Sequence, residues 1–432
     1  MKNLHARPSL LLTTLLVVLV ALSGAGCGAD TDSTASATNV GGSDGASLDG
    51  ASLDGAGADA LGDTGTPGDA ATSDSTGATE PKIWAIGVTT LMTIGANGRS
   101  LPTEVWYPIE AGATGEAAKY MLGIIGSPYG AIRNAEAAKG PFHLIAFSHG
   151  NGGVREQSVY LTEYLARHGY VVVSPDHVGN TTLDIDNNLA AVMSLWRPLD
   201  VTAAIDRVMA PTDKDPAWLK GLVHTDKIGV TGHSFGGYTT LALAGIAIDL
   251  PSGATIDCAT VVGKPVCDTR KNIGDAPWQL GDKRVAVAVP LAHALYDARA
   301  LSHASAKKLK VPVIMMASTG DTLTPAVKEA EPLFADLTSP TALLTIQGGN
   351  HFSFANMCEL GAVAPANIKA TINQLCGPGA KPTMADTHAV IAEHALAAFD
   401  IWLRGDDSKR ALFLNGKDGG GVYTMKSKGI TK

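Results

Sequence analysis

Ser234 lies in TGHSFGG, residues 231–237, a Gly-x-Ser-x-Gly pattern between a strand-like run, KIGVTG, and a helix-like run, GGYTTLALAGIA. A serine hydroxyl becomes a useful nucleophile when a neighbouring base takes its proton, and histidine has the pKa to do so near neutrality. Asp321 in STGDTLTP and His351 in QGGNHFSF each follow a further apolar run, giving the chain order serine, acid, histidine. In that arrangement a carboxylate holds the imidazole in the tautomer that accepts the serine proton. The chemistry such a set performs is acyl transfer, and it calls for neither metal nor organic cofactor.

Other residues of the same types fit less well. Asp176 precedes the serine and Asp297 sits several residues beyond its apolar run. His177 and His293 also follow such runs, His388 and His394 fall on a late helical pattern, and His233 is internal to the serine turn. A second match, Gly41-Gly42-Ser43-Asp44-Gly45, lies in low-complexity sequence and is read as an accident. Between a strand and a helix, SHGNGG (148–153) has the glycines that let backbone amides point into a site. The amides of Asn151 and Phe235 are the candidates for holding an oxyanion.

These residues need a scaffold that brings strand ends together. Eight short apolar, β-branched runs are IWAIGVTTLMTI, TEVWYPI, HLIAFSHG, YVVVSPD, KIGVTGHS, RVAVAVPLAHA, VPVIMMASTG and ALLTIQGGNH. Several are continuously apolar, as strands buried on both faces of a parallel sheet are. Helical patterns alternate with them in REQSVYLTEYLARHG, PLDVTAAIDRVMA, GGYTTLALAGIA and THAVIAEHALAAFDIWLRG. The alternation predicts an α/β sandwich, a mostly parallel eight-stranded sheet flanked by helices, over residues 81–432. Active sites of such sheets form at the carboxyl ends of the strands, where Ser234, Asp321, His351 and the 148–153 turn all fall. Residues 248–284 are longer than an ordinary connection and are expected to form a cap-like insertion or pocket wall.

The N-terminus is organised differently. Lys2 and Arg7, the run SLLLTTLLVVLVAL and the small residues SGAG describe a secretory signal over 1–27, too short for a membrane span. Residues 28–80 contain ten acidic residues, no basic ones and the repeat GASLDGASLDGA, so they are expected to be a flexible tether. Residues 81–432 carry 31 basic and 31 acidic residues. That balance gives no electrostatic case for binding nucleic acid or an anionic membrane surface.

Besides Cys27 there are four cysteines, and an exported chain meets an oxidising compartment. Of the three connectivities, Cys258 with Cys267 and Cys358 with Cys376 closes the two shortest loops. Four free thiols are the alternative; the spacing does not suit a zinc site.

The stretches RSLPTEVWYP, FSHGNGG, LARHGYVVVSPDHVGN, RPLDVTAAID, GHSFGG, STGDTLTP and GGNHFSF carry a resemblance that covers most of residues 83–355. The chain resembles α/β-hydrolases of the group that includes platelet-activating-factor acetylhydrolases, predicted dienelactone hydrolases and bacterial polyester hydrolases. Dienelactone hydrolases use a cysteine where Ser234 stands. The acetylhydrolases take their acid from the strand after the nucleophile, where AVAVPLAHA has none, and Asp321 matches the polyester hydrolases and many esterases instead. Cys27, after Gly24-Ala25-Gly26, resembles the lipidated cysteine of a bacterial lipobox, although Gly24 stands where Leu, Val or Ile is usual; plain cleavage and secretion is the alternative.

The resemblance implies a serine hydrolase of carboxylic esters with a small-molecule or lipid ester as its partner, and the N-terminal pattern adds export, with a membrane reached only through the N-terminal lipid anchor. Short-chain acyl esters are the expected substrates. A lipase, phospholipid acetylhydrolase or polyester hydrolase is the alternative; an amidase, a peptidase or a non-catalytic binding protein comes after it.

Overall fold

The computed structural model describes residues 82–249, 256–359, 369–370, 372–373, 376 and 379–431. The signal-like segment, Cys27 and the 28–80 tether lie outside the described residues.

Twelve strands occur among them: β1 (Ala85–Ile94), β2 (Ser100–Ile109), β3 (Lys119–Tyr120), β4 (Ile125–Gly126), β5 (Ile132–Arg133), β6 (Phe142–Ser148), β7 (Tyr170–Pro175), β8 (Val223–His233), β9 (Val285–Leu291), β10 (Val313–Ser318), β11 (Thr341–Ile346) and β12 (Tyr423–Lys428). Ten form one sheet in the order β12-β11-β10-β9-β8-β6-β7-β2-β1-β5, and β3 and β4 make a separate two-stranded ribbon. From β7 to β11 all neighbours run parallel. The pairs β1·β2, β2·β7 and β11·β12 are antiparallel.

The expected eight strands are all present; the sheet has ten because two edges were missed. Ile132–Arg133 is too short to show a period. Tyr423–Lys428 buries only Tyr423 and Met425, and its lysines suit an exposed edge.

Residues along the central strands alternate between two cores. On β6, Leu144 and Ala146 face one side, with Leu195, Val201, Ile205, Tyr238 and Leu241. Ile145 and Phe147 face the other, with Leu161, Leu165, Ile391 and Phe399. The helices that supply these faces are α1 (Val159–Arg167), α2 (Ala190–Met209), α3 (Phe235–Leu243), and the late helix Met384–Phe399. Both sheet faces are therefore covered, which explains the continuously apolar strands.

The helix read from PLDVTAAIDRVMA begins earlier than its sequence suggests. Proline favours the first turn of a helix, so Pro198 looks like a start signal, yet α2 runs through it from Ala190. The 248–284 insertion contains α4 (Gly263–Ile273) and packs on α2, where Trp196 Nε1 donates to Thr269 Oγ1 at 2.8 Å. A cavity of about 370 Å³ lies between them, lined mainly by Leu195, Ile256, Val262, Val266 and Trp278.

Candidate active site

Strand β8 ends at His233 and α3 begins at Phe235, leaving one residue for the reversal. Ser234 makes it with φ 59° and ψ −117°, a conformation costly for a residue with a side chain. Its amide donates to the Leu291 carbonyl at 2.9 Å. The flanking glycines are required by contact: a Cβ on Gly232 would stand 2.5 Å from the Gly236 carbonyl oxygen and 2.6 Å from that of Ser148. Ser234 is partly exposed while the residues around it are buried. These are the features of a nucleophile elbow.

Asp321 and His351 lie beyond the ends of β10 and β11 and meet each other. His351 Nδ1 is 2.8 Å from Asp321 Oδ2. The other carboxylate oxygen, Oδ1, accepts the amides of Leu323 at 2.9 Å and Thr324 at 2.8 Å. Burial works to raise the Asp321 pKa, but the bond from His351 and the amide and hydroxyl of Thr324 outweigh it and hold the carboxyl below its ordinary value. A carboxylate so held orients the ring through Nδ1 and leaves Nε2 as the proton acceptor. Asn350 caps the short turn that carries His351, its side chain accepting the Phe352 amide.

His351 is tied to the elbow through the residue next to Ser234. His233 Nε2 donates to the His351 carbonyl at 2.8 Å, so its Nδ1 accepts from Gln157 Nε2 at 2.7 Å. Burial keeps His233 neutral, with its pKa pushed down to about 3. Gln157 Oε1 in turn accepts the Gly150 amide at 2.9 Å. One half-buried amide side chain thus joins the 148–153 turn to the elbow.

Of the two oxyanion candidates, Phe235 is the first residue of α3, so its amide has no partner within the helix. Asn151 is exposed at the tip of its turn, with Oδ1 accepting from Asn180 Nδ2 at 2.7 Å. The Thr182 hydroxyl donates to the Gly152 carbonyl, bracing the same turn.

The rival residues are placed elsewhere. Asp176 is engaged by Arg155 through both its amide at 2.7 Å and its guanidinium at 2.6 Å. Asp297 is exposed. His388 stacks on Tyr160 at 3.6 Å between ring centroids, His394 is buried on the late helix, and His293 is buried against Gly237. His177 is buried in a separate cluster.

Both cysteine pairs are bonded, Cys258 with Cys267 and Cys358 with Cys376. The first ties the insertion across residues that line its cavity. The second follows the His351 turn, whose continuation is fixed by the Asn356 amide donating to the Gln157 carbonyl at 3.0 Å. Among the described residues no cluster of His, Cys, Asp and Glu suits a metal, and no helix is long and apolar enough to cross a membrane.

Thr324 and Gln157 are contacts of the site that sequence reading missed, and so is Arg197, buried on α2 with its guanidinium donating to the His149 carbonyl. Thr324 sits inside the quoted TLTP string, but nothing in its type marks it. The one signal for Arg197 is a charge in an otherwise apolar stretch of α2.

A mostly parallel sheet with a strained serine turn at one strand end, and a bonded acid and histidine beyond two neighbouring strand ends, has the α/β-hydrolase fold. Comparison with known proteins points the same way. A family profile described as Chlorophyllase matches residues 126–290, which include Asn151, Ser234 and Phe235 and stop short of Asp321 and His351. Cutinase est2 of Thermobifida alba is 26% identical over 214 residues, covering 49% of this chain and 53% of that protein. Cutinase cut1 of Thermobifida fusca is 25% identical over 216 residues, 49% of this chain and 50% of its own length. Chlorophyllase type 0 of Chenopodium album is 27% identical over 140 residues, 30% of this chain and 37% of that one. The chain spans about half the length of the cutinases it matches. Over these residues the chain is similar to cutinases and to a chlorophyllase, which accords with its α/β-hydrolase fold.

Proposed function

We propose that the protein is an exported serine hydrolase that cleaves carboxylic esters through an acyl-enzyme on Ser234. His351 removes the serine proton as the hydroxyl attacks the ester carbonyl, and Asp321 stabilises the imidazolium that forms. The amides of Asn151 and Phe235 hold the oxyanion, the alcohol leaves with the proton from His351, and water repeats the sequence on the acyl group. The observation that carries this reading is the 2.8 Å contact between His351 and Asp321, set beside the strained turn of Ser234.

Short-chain acyl esters are the proposed substrates. A polyester or long-chain ester is the second reading, favoured by the similarity to cutinases. Export rests on the N-terminal signal pattern, with a lipid on Cys27 as the proposed anchor, residues 28–80 as the tether and residues 81–432 as the catalytic domain.

The test is turnover of p-nitrophenyl esters of increasing acyl length, with a polyester suspension alongside and Ser234→Ala as control. Rates that fall with acyl length and vanish in the variant support the short-chain reading. A preference for long chains or for the suspension moves the assignment to the second. Unchanged turnover in Ser234→Ala would remove the mechanism.

A further inference from the structure

Ser148, the first residue of the 148–153 turn, begins a second set of serine, histidine and acid in chain order. Ser148 Oγ is 2.9 Å from His177 Nε2, and His177 Nδ1 is 3.0 Å from Asp200 Oδ2. All three are sealed from solvent, so no substrate reaches this hydroxyl. Arg99 grips Asp200 through both carboxylate oxygens at 2.6 and 2.8 Å. The His177 ring is kept neutral by burial, with Arg197 and Arg99 adding to the effect.

Arg197 is the unusual member of this cluster. Its side chain is wholly buried on α2, yet its hydrogen bonds run to four neutral acceptors. It donates to the His149 carbonyl, to Ser148 Oγ at 3.3 Å, to Asn180 Oδ1 at 2.6 Å and to Thr239 Oγ1 at 3.3 Å. Its guanidinium also stands 4.6 Å from the centre of the Phe235 ring. Burial lowers its pKa, with Asp200 opposing, to about 9, so the group is charged at neutral pH. A charge so deeply buried stabilises a fold poorly compared with apolar packing of the same volume.

What these contacts share is the pair of oxyanion donors. His149 is two residues before Asn151, and Asn180 passes the contact on to the Asn151 side chain at 2.7 Å. Phe235 is the other donor residue, and Thr239, one turn further along α3, donates to its carbonyl at 2.9 Å. We propose that Arg197 is the positioning residue of the oxyanion hole, a buried cation that sets Asn151 and Phe235 at their mutual spacing and favours negative charge between them. The proposal rests on the hydrolytic reading of Ser234 and adds the element that prearranges its electrostatics. Donors fixed before the reaction are worth more than donors that must reorganise during it.

The test compares an aryl ester with its matched thionoester, in which sulfur replaces the carbonyl oxygen and hydrogen-bonds the hole poorly. The full chain, Arg197→Met, Arg197→Lys and Ser234→Ala are measured together, with melting temperatures. Arg197→Met should lose about 10²-fold in kcat with little change in KM, as expected for a misplaced catalytic group. The preference for the oxygen ester should shrink in step. Arg197→Lys, which keeps the charge without the planar fork, should fall between parent and Met.

A folded Arg197→Met that keeps the parent's kcat and oxygen preference overturns the proposal while leaving Ser234 in place. If that variant does not fold, Asn180→Ala reads the same preference through the relay to Asn151, and an unchanged ratio there is equally fatal. Undiminished turnover by Ser234→Ala would remove the hydrolytic reading and the oxyanion role with it.

Discussion

Gly236 and Ser148 pack backbone to backbone: a Cβ added to Gly236 would stand 1.8 Å from the Ser148 carbonyl oxygen. The elbow helix and the strand leading to the 148–153 turn therefore approach backbone to backbone, and no contact atom is a flexible side chain. Gly236→Ala should destabilise the protein by about 3 kcal/mol, at the upper end of overpacking costs, and reduce turnover further by displacing the turn that carries Asn151. Thermal melting checks the first part; a melting temperature equal to the parent's would contradict it.

Replacing Ser234 with glycine separates function from stability. The backbone angles of Ser234 cost a side-chain-bearing residue about 1–3 kcal/mol, and glycine adopts them without that strain. Ser234→Gly should therefore lose ester turnover while melting no lower than Ser234→Ala. A glycine variant clearly less stable than the alanine variant would show that the turn is not strained.

Asp321 gives a pH prediction whose sign follows from its depressed pKa. Its folded value lies below the ordinary 3.8, so its stabilising contribution is fully present above that pH and is lost as pH falls beneath it. In acid titrations of stability, Asp321→Asn should lack this part of the parent's decline below about pH 4. At neutral pH the same variant should lose about 10⁴-fold in kcat, the effect of presenting the wrong histidine tautomer. A decline below pH 4 identical in both proteins would count against the assignment.

The two disulfides close loops of 9 and 18 residues in sequence separation. Loops of this size restrict the unfolded chain by about 3 kcal/mol each. Paired Cys→Ser replacement at 358 and 376 should lower the melting temperature and impair turnover as well, because that loop continues the His351 turn. Replacement at 258 and 267 should act mainly on the insertion and shift acyl-length preference more than kcat. Equal effects from both pairs would sink this division.

The scaffold was legible because its strands are buried on two faces and carry a continuous apolar signature, from HLIAFS on β6 to ALLTI on β11. Ser234, Asp321 and His351 stood out because chemistry restricts their residue types and the sheet restricts where they fall. The edge strands β5 and β12 were hidden for the opposite reason: one is too short and the other half polar. Arg197 and Gln157 escaped notice because their importance lies in bonds to backbone and amide groups distant in sequence, and no spacing announces such bonds. Pro198 misled by obeying a rule about helix starts in the middle of a helix.

Gln157 holds the Gly150 amide, the His233 ring and, through its own carbonyl, the Asn356 amide. Three segments far apart in the chain therefore share one residue, and none can open without loosening the others. In hydrogen exchange, the Gly150 and Asn356 amides should exchange with a common opening free energy, as parts of one cooperative unit. The serine turn and the 148–153 turn are then assembled or dissolved together, so one formed without the other is a state this architecture keeps scarcely populated.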